Sequence, residues 1–276
     1  MVMTIPTKLL LDNQRLIEAP YEVQSLEELS ILEPDGIYTV ARTHDGTKSV
    51  LLDAHADRLE ESAALESIPL QLDRDFLRAA LRETLAAGGF ENARFRITIP
   101  RETPDQILIA AEPLREVPAE IVHNGADVAT NCIIRPNPSA KSNAWVSLRA
   151  EARKSLPDHV YEGLICTANG ALLECFSSNF YAIKDGKLWT ANQDVLFGIA
   201  RKIVLEVVQG LLPIHFQPVM IEDLASLQET FLSSSGRGVV PIVRIDDCVI
   251  GESPGPFTLE IMHRYNTWVK ENLEPI

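Results

Sequence analysis

The stretch from Ser139 to Trp145, SAKSNAW, follows a run with two prolines and comes directly before a sequence that predicts a helix. Its lysine, Lys141, has no acidic residue within five positions on either side. A lysine beside a loop is ordinarily a surface charge, because its long stem keeps the ammonium group in water. The rest of the chain decides whether Lys141 is such a charge or a reactive amine.

The composition predicts a globular protein with a sizeable core. The chain has 276 residues, of which 46% are hydrophobic and 6% aromatic, enough for one large domain or two smaller ones. Acidic residues outnumber basic ones by 39 to 25, and the formal net charge is −14. Binding to phosphate backbones or to anionic membrane surfaces needs clustered Lys and Arg. The charge therefore argues against nucleic acid and against membranes as partners.

Targeting segments and metal motifs are not apparent in the sequence. No apolar run approaches the roughly 18 to 20 residues that span a bilayer, and the apolar stretch at the start is too short for a secretory signal, so we expect a cytoplasmic protein. The six histidines show no metal-ligand spacing, and no metal site is predicted. The cysteines are irregularly spaced among apolar neighbours, and we interpret them as reduced and structural: Cys132, Cys166, Cys175 and Cys248.

The first half of the chain alternates strand and helix patterns. Two strand-like runs, over residues 36–44 and 48–55, flank the turn HDGTK. Amphipathic helices are predicted over 57–68 and 73–89, the second ending at a pair of glycines. These patterns indicate an α+β unit built on antiparallel strands.

A strand pair closes this unit. Phe95, Ile97 and Ile99 alternate with other residues, as in a strand with one buried face, and residues 105–114 form the expected partner strand. The stretch 112–125 has two prolines and few large apolar residues, and we interpret it as the interdomain linker. We therefore place a small α+β domain at residues 1–116 and a larger domain at 117–276, with the linker at its start.

The second half predicts short strands joined by tight turns. The dipeptides Asn169-Gly170 and Asp185-Gly186 are strong hairpin signals. Helices are expected directly after Lys141, over 198–212, over 221–229 and over 255–273.

Two features of the larger domain favour phosphate binding. Gly198 opens a predicted helix, and the sequence SSSGRG, residues 233–238, lies between two apolar strands. Helix N-termini and glycine-rich turns direct backbone N–H groups outward, which is the geometry that binds phosphate. Either feature alone is weak, because glycine-serine loops are common.

Together with the lysine, these motifs resemble the class IV aminotransferase family. The stretches LLECFSSNFYAIKDGKLWT (172–190), LFGIAR (196–201) and FLSSSGRGVVPIV (231–243) follow Lys141 in order, and HADRL (55–59) is similar to the family's His-x-x-Arg-Leu signature. These fold type IV enzymes include branched-chain and D-amino-acid aminotransferases and aminodeoxychorismate lyase. The resemblance implies a mixed α+β and α/β fold with a small antiparallel N-terminal domain and a larger mixed-sheet C-terminal domain, a pyridoxal 5′-phosphate cofactor and a homodimer.

The resemblance assigns roles to the cofactor site. Lys141 corresponds to the lysine that holds the cofactor as a Schiff base and then moves protons, and Glu174 to the carboxylate that pairs with the pyridine nitrogen. Phosphate contacts fall to Arg58, whose alternative is a surface pair with Glu61. Two phosphate loops supply the other contacts, and they contain Gly198, Ile199, Ala200, Ser235 and Gly236. Ala200 departs from the family pattern, because a hydroxyl-bearing threonine is common there.

Three further residues are expected at the substrate. Tyr38 and Thr39 occupy the position where much of the family has an aromatic residue followed by glutamate, and the threonine resembles the lyase. Arg237 follows the second phosphate loop. It either clamps a substrate carboxylate through a bidentate pair or is a solvated loop cation.

Three functions are therefore weighed. The first is amino-group transfer between an amino acid and a 2-oxo acid. The second is elimination from aminodeoxychorismate, which releases pyruvate and 4-aminobenzoate. The third is a catalytically idle cofactor-binding protein, suggested by the altered GIAR motif and by LEPDG before residue 37. We favour the first, since transamination is the commoner activity in the family, and the intact lysine and glutamate argue against the third.

Overall fold

The structure is a computed structural model that describes residues 4–12 and 14–276. Its helices are α1 (Leu26–Leu32), α2 (Leu52–Leu65), α3 (Arg74–Gly88), α4 (Ala119–Asn124), α5 (Asn143–Arg153), α6 (Ile199–Val207) and α7 (Pro256–Glu271), with a 3-10 helix at Ile221–Ser226. Its strands are β1 (Thr7–Leu11), β2 (Arg15–Glu18), β3 (Gly36–Arg42), β4 (Lys48–Val50), β5 (Ala93–Pro100), β6 (Gln106–Pro113), β7 (Ala126–Asn131), β8 (Glu162–Cys166), β9 (Leu172–Cys175), β10 (Asn179–Lys184), β11 (Lys187–Trp189), β12 (Ile214–His215), β13 (Glu229–Ser234), β14 (Gly238–Ile245), β15 (Cys248–Val249) and β16 (Leu273–Pro275).

The first sheet has the strand order β2-β1-β6-β5-β3, and all of its pairings are antiparallel. The alternation predicted for β5 is confirmed, since Phe95, Ile97 and Ile99 are buried in one core with residues of α2 and α3. Successive side chains of a strand point to opposite faces. Arg96 and Thr98 therefore lie on the other face of the strand, where both side chains are buried.

The ends of α3 follow from its sequence. The side chain of Asp73 accepts hydrogen bonds from the backbone N–H groups of Asp75 and Phe76, and so caps the N-terminus. Gly89 ends the helix in the left-handed conformation, with φ of 61°, where glycine carries no side-chain clash. Both ends agree with the prediction for residues 73–89.

The second sheet is mixed and larger. Its strand order is β12-β11-β10-β13-β14-β7-β8-β9, with β15 paired to β14. The strand β7 runs parallel to both β14 and β8, whereas β10, β13 and β14 are antiparallel neighbours. A further pairing, between Asn179 and Glu174, joins β10 to β9 and closes the sheet on itself. The predicted combination of an antiparallel and a mixed sheet is confirmed.

The described part of the chain divides into two compact units. The first contains the described residues up to Arg115 together with Ser139–Ser147 and Asn272–Ile276, and the second contains Glu116–Pro138 and Leu148–Glu271. Relative to the predicted division, two short segments pack with the first unit. Residues 139–147 do so through a β-bridge between Ser142 and Ile37, and residues 272–276 through the pairing of β16 with β4. The domain boundary after residue 116 stays a prediction.

The strand predicted over residues 48–55 was wrong for most of its length. The structure has a strand only at Lys48–Val50, and α2 begins at Leu52. Leu51 has a φ of 51°, and this left-handed residue breaks the extended backbone between strand and helix. Apolar residues 51 and 52 therefore continue the hydrophobic run without continuing the strand.

Two other segments also differ from expectation. The predicted linker contains the short helix α4, which starts after Pro118 and ends at Gly125, the residues that favour helix starts and ends respectively. The helix predicted over 221–229 is a 3-10 helix that stops at Ser226.

In the described residues, 4–12 and 14–276, no helix is both long and apolar enough to cross a bilayer.

Candidate active site

The backbone around Lys141 is fixed within the first unit. Its carbonyl oxygen accepts a hydrogen bond from the N–H of Tyr38 at 2.9 Å, and its own N–H donates to the hydroxyl of Ser62 at 3.2 Å. The neighbouring Ser142 makes a β-bridge with Ile37. The short segment that carries the lysine is therefore attached to β3 and α2 rather than left as a free loop.

The ring of Tyr38 lies against two cations. The Nζ atom of Lys141 is 4.9 Å from the ring centroid, and the guanidinium carbon of Arg96 is 3.7 Å from it. Arg96 pairs with the buried carboxylate of Glu33 and donates to the side-chain oxygen of Asn143 at 2.8 Å. The carboxylate balances the charge of Arg96, so the buried guanidinium can support Tyr38 and Asn143 without adding net charge beneath the lysine.

Thr39 has a partner that sequence analysis missed. Its hydroxyl lies 2.7 Å from Nδ1 of His55, and both side chains are buried. Burial, followed by the nearby charges of Arg58 and Lys141, lowers the pKa of His55 to about 3. The imidazole is therefore neutral at physiological pH. His55 is the first residue of the HADRL motif. The histidine of that motif was the one sequence signal for a functional role of His55, and it does not indicate Thr39 as the partner.

Arg58, expected at the cofactor phosphate, is nine-tenths buried in α2. Its Nε atom lies 3.8 Å from a carboxylate oxygen of Glu61, so the surface pair considered as its alternative exists. That distance is too long for a hydrogen bond, and the contact contributes little. Its role at the phosphate stays a prediction.

The depressed pKa of His55 predicts acid sensitivity. Because the folded-state pKa, about 3, lies below the ordinary 6.5, the unfolded chain binds the proton first as pH falls. The free energy of unfolding is thus highest above pH 6.5, and it declines as pH falls toward the folded-state pKa of His55. Between about pH 7.5 and about pH 5.3, His55 alone should remove about 1.5 kcal/mol from the free energy of unfolding.

Urea unfolding of wild type and of His55→Gln over this interval measures the effect, and the lower limit stays above the pI of about 4.9. The variant should lack this part of the pH dependence. The exposed His159, changed to Gln, is the matched control. Identical pH slopes for wild type and His55→Gln would contradict the prediction.

In the second unit, Glu174 is a buried carboxylate with partners on both oxygens. Its Oε1 atom accepts from Arg135 at 2.6 Å, and its Oε2 atom accepts from the N–H of Leu196 at 3.0 Å and from Asn179 at 3.3 Å. Its residue exposure is 2%. The pairing of β9 with β10 places Asn179 opposite Glu174, so closure of the sheet orients the carboxylate. Arg135 was not predicted, and nothing in its local sequence indicates this long-range pair.

The start of α6 agrees with the predicted anion-binding geometry. Gly198 is the N-cap, no acidic residue lies in the first turn, and the N–H groups of Ile199 and Ala200 lack helical acceptors by position. A Cβ atom at Gly198 would lie 2.4 Å from the side-chain oxygen of Asn179, so a larger residue there would displace the amide that donates to Glu174 and to the carbonyl oxygen of Leu196. The buried Arg201 follows in the same turn, and its Nε atom has no hydrogen-bond partner among the residues that the structure describes.

The serine-rich sequence forms a hairpin turn. Ser234 of β13 pairs with Gly238 of β14, which leaves Ser235, Gly236 and Arg237 as the turn. The guanidinium of Arg237 pairs with the carboxylate of Glu162, with N–O distance 2.9 Å, and does not extend freely into solvent.

The expected site residues are thus distributed over both units. Lys141, Arg58, Tyr38 and Thr39 belong to the first unit. The second unit contains Glu174, Gly198, Ile199, Ala200, Ser235, Gly236 and Arg237. Among the described residues, no group of three or more His, Cys, Asp or Glu side chains could hold a metal ion.

Comparison with known proteins identifies the family. The family model for amino-transferase class IV matches residues 36–245. The chain is 28% identical to a D-alanine aminotransferase of Listeria innocua over 92% of this chain and 93% of the relative. It is 29% identical to a probable branched-chain-amino-acid aminotransferase of Thermotoga maritima, over 80% and 81% of the two chains.

Solved structures have the same fold. The branched-chain amino acid aminotransferase of Escherichia coli superposes with a TM-score of 0.80 and 22% identity, covering 99% of this chain and 97% of that chain. Another enzyme of this fold was solved with pyridoxamine 5′-phosphate. The family match covers more than half of the sequence, and the predicted family and fold are confirmed. This chain belongs to the class IV aminotransferases, and it is a pyridoxal 5′-phosphate-dependent enzyme that transfers an amino group between an amino acid and a 2-oxo acid.

Proposed function

We propose that Lys141 is the catalytic residue of this aminotransferase and that its amine both binds the cofactor covalently and moves the substrate proton. The observation that carries this proposal is the fixed position of its segment, since the carbonyl and the N–H of Lys141 are both hydrogen-bonded within the first unit. A general acid or base acts only when it is held within reach of the proton that it transfers. The attachment to Tyr38 and Ser62 fixes the backbone of residue 141, and the Nζ atom lies 4.9 Å from the centroid of the Tyr38 ring.

Two groups of the first unit lie near the amine of Lys141. Its Nζ atom is 4.9 Å from the centroid of the Tyr38 ring, and its charge acts on the neutral imidazole of His55. Only the unprotonated amine is nucleophilic, so attachment of the cofactor uses that form.

The second unit supplies groups that suit the rest of the cofactor. When bound, pyridoxal phosphate provides a protonated ring that accepts the electrons of the substrate carbanion. We assign Glu174 to the pyridine nitrogen, because its buried carboxylate is oriented by Asn179 and Leu196. Within the second unit, we assign the phosphate to the N–H groups of Ile199 and Ala200 after Gly198, and to Ser235 and Gly236. For Arg58 in the first unit, the phosphate role is the one that the family resemblance implies.

The residues present fit such a group. The first-turn N–H groups of helix α6 have no helical acceptor by position. The helix also contains the guanidinium of Arg201, whose buried Nε atom has no hydrogen-bond partner in the described part of the chain. This combination suits an anion. The absence of a hydroxyl at Ala200 leaves backbone donors as its contribution. The relatives act on D-alanine or, by name, on branched-chain amino acids, and either substrate class fits these assignments.

A substrate panel tests the proposal. The enzyme with added cofactor is offered D-alanine, L-leucine, L-valine and L-glutamate as donors with pyruvate or 2-oxoglutarate as acceptor, and aminodeoxychorismate is supplied in a separate reaction. We expect amino-group transfer from at least one donor, and the D or L preference then names the substrate class. Pyruvate release from aminodeoxychorismate without any transamination would instead establish the lyase, the alternative that Thr39 suggested.

We also propose a cytoplasmic homodimer. Large apolar side chains are exposed in both units, such as Ile31 at 70% and Ile134 at 86%, and burial of such groups favours association. The four cysteines are free thiols, which suits a reducing compartment. Light scattering on the active enzyme should give twice the mass of the chain, and an active monomer would contradict the dimer.

A further inference from the structure

The turn at Ser235 and Gly236 has a defined shape but few backbone contacts of its own. Ser234 and Gly238 close the hairpin, and the N–H of Arg237 donates to the carbonyl oxygen of Ser234 at 3.3 Å. Gly238 has a φ of 69°, a conformation that side chains rarely adopt. A turn of this length needs further contacts if its serine and glycine are to hold one position.

The side chain of Arg237 supplies those contacts. Its Nε atom donates to the hydroxyl of Ser234 at 3.1 Å, and its Nη2 atom donates to the hydroxyl of Ser177 at 2.9 Å. Its Nη1 atom lies 2.9 Å from a carboxylate oxygen of Glu162. Each of the three guanidinium nitrogens therefore has a different partner, and the turn is bound to β8 and to the segment after β9.

Glu162 is the fixed end of this arrangement. Its buried carboxylate accepts hydrogen bonds from the N–H and hydroxyl of Ser177 and from the hydroxyl of Ser178. Burial alone would raise the pKa of Glu162, but Arg237 and Ser177 outweigh it and lower that pKa. Burial would likewise lower the pKa of Arg237, but Glu162 outweighs it and raises that pKa. The charged forms of both groups stabilise each other.

We propose that Arg237, Glu162 and Ser177 form a clasp that holds the Ser235–Gly236 turn in the shape that receives the cofactor phosphate. Arg237 is then a positioning residue and not a substrate clamp, because its guanidinium is already shared among internal partners. The inference rests on the proposed function, in which this turn contacts the phosphate. The clasp acts on phosphate affinity through the turn.

The test compares pyridoxal 5′-phosphate with pyridoxal, which lacks the phosphate. Dissociation constants for both are measured by titrating the cofactor-free full chain of wild type and of Arg237→Lys. Lysine keeps the charge but cannot reach three partners at once. We expect about tenfold weaker binding of pyridoxal phosphate, which is the effect of losing about one hydrogen bond to a charged group. Binding of pyridoxal should be unchanged.

Two further variants complete the test. The double variant Glu162→Gln with Arg237→Gln removes both charges, so it leaves no unpaired buried ion and should fold while showing the same selective loss. Arg244→Lys, on the strand β14 that follows the turn and paired with Asp127, is the control and should bind both compounds as wild type does.

The outcomes are distinct. Unchanged binding of pyridoxal phosphate by both clasp variants overturns the inference, and so does an equal loss for both compounds, which indicates general damage. A raised KM for amino-acid substrates with unchanged cofactor binding would overturn the inference and show that Arg237 contacts the substrate carboxylate. If wild type itself binds no pyridoxal phosphate, the proposed function fails and not the clasp.

Discussion

Lys141→Ala should lower aminotransferase activity by at least about 10³-fold, because the variant loses both the covalent bond to the cofactor and the group that moves the substrate proton. The backbone of residue 141 is hydrogen-bonded to Tyr38 and Ser62, and alanine keeps those bonds, so the substitution removes the amine without releasing the segment. Borohydride treatment followed by peptide mass spectrometry should show the cofactor attached to Lys141 in wild type and to no residue in the variant.

The control is Lys154→Ala, which removes an exposed lysine paired with Glu151 and should retain full activity and labelling. Adding a small primary amine to Lys141→Ala should restore part of the activity, because it supplies the missing proton acceptor without the covalent attachment. Borohydride labelling of a different lysine in wild type would show that Lys141 is not the attachment residue.

The sequence predicted the family of this chain, and that prediction is confirmed. The order of several motifs also assigned roles to Lys141 and Glu174, which stay predictions, but it gave no information about the partners of these side chains. The partner of Glu174, Arg135, lies 39 positions away in sequence and has no local pattern that connects the two. Arg135 lies in the loop after β7, so the tertiary fold brings it to Glu174, and sequence periodicity does not describe such a contact.

The sequence predicted those parts of the secondary structure that neighbouring residues determine. The caps of α3 and the buried face of β5 could be predicted, because Asp73, Gly89 and the alternation at Phe95 act through neighbouring residues. The strand at residues 48–55 could not, since a single left-handed residue, Leu51, turns an apolar run into the start of a helix. The surrounding structure imposes that conformation, and leucine by itself does not prefer it.

The partners of buried charges are also hard to predict from sequence. Arg96 appears as a polar position on a strand, yet it is buried under Tyr38 and neutralised by Glu33. Arg237 was expected at a substrate carboxylate or in solvent, whereas the structure pairs it with Glu162. A sequence shows that a charge exists, but the opposite charge that permits burial is set by the tertiary fold.

Glu174→Gln should lower kcat by about 10²- to 10³-fold while pyridoxal phosphate stays bound, because the amide cannot stabilise a positive charge on the pyridine nitrogen. In the proposed site the cofactor is also held by Lys141 and by the phosphate contacts, so its dissociation constant should change little. Absorbance titration gives the dissociation constant, and single-turnover kinetics give the rate of proton abstraction. The role assigned to Glu174 predicts a slower proton abstraction and an unchanged dissociation constant for pyridoxal phosphate.

A loss of activity could also come from unfolding, since the substitution removes the carboxylate that pairs with the buried Arg135. Breaking one side of a buried ion pair costs about 3 to 5 kcal/mol of stability. Glu229→Gln is the matched control, because Glu229 is a buried carboxylate of the same unit that accepts from the N–H groups of Phe257 and Thr258 at the start of α7.

The double variant Glu174→Gln with Arg135→Gln separates stability from catalysis. Removing both charges should recover most of the lost stability, as measured by urea unfolding, because no uncompensated ion stays buried. Its proton-abstraction rate should nevertheless stay about 10²-fold or more below wild type, since the carboxylate is still missing. If the rate instead returns with the stability, Glu174 serves the fold of the closed sheet and another group must protonate the pyridine nitrogen.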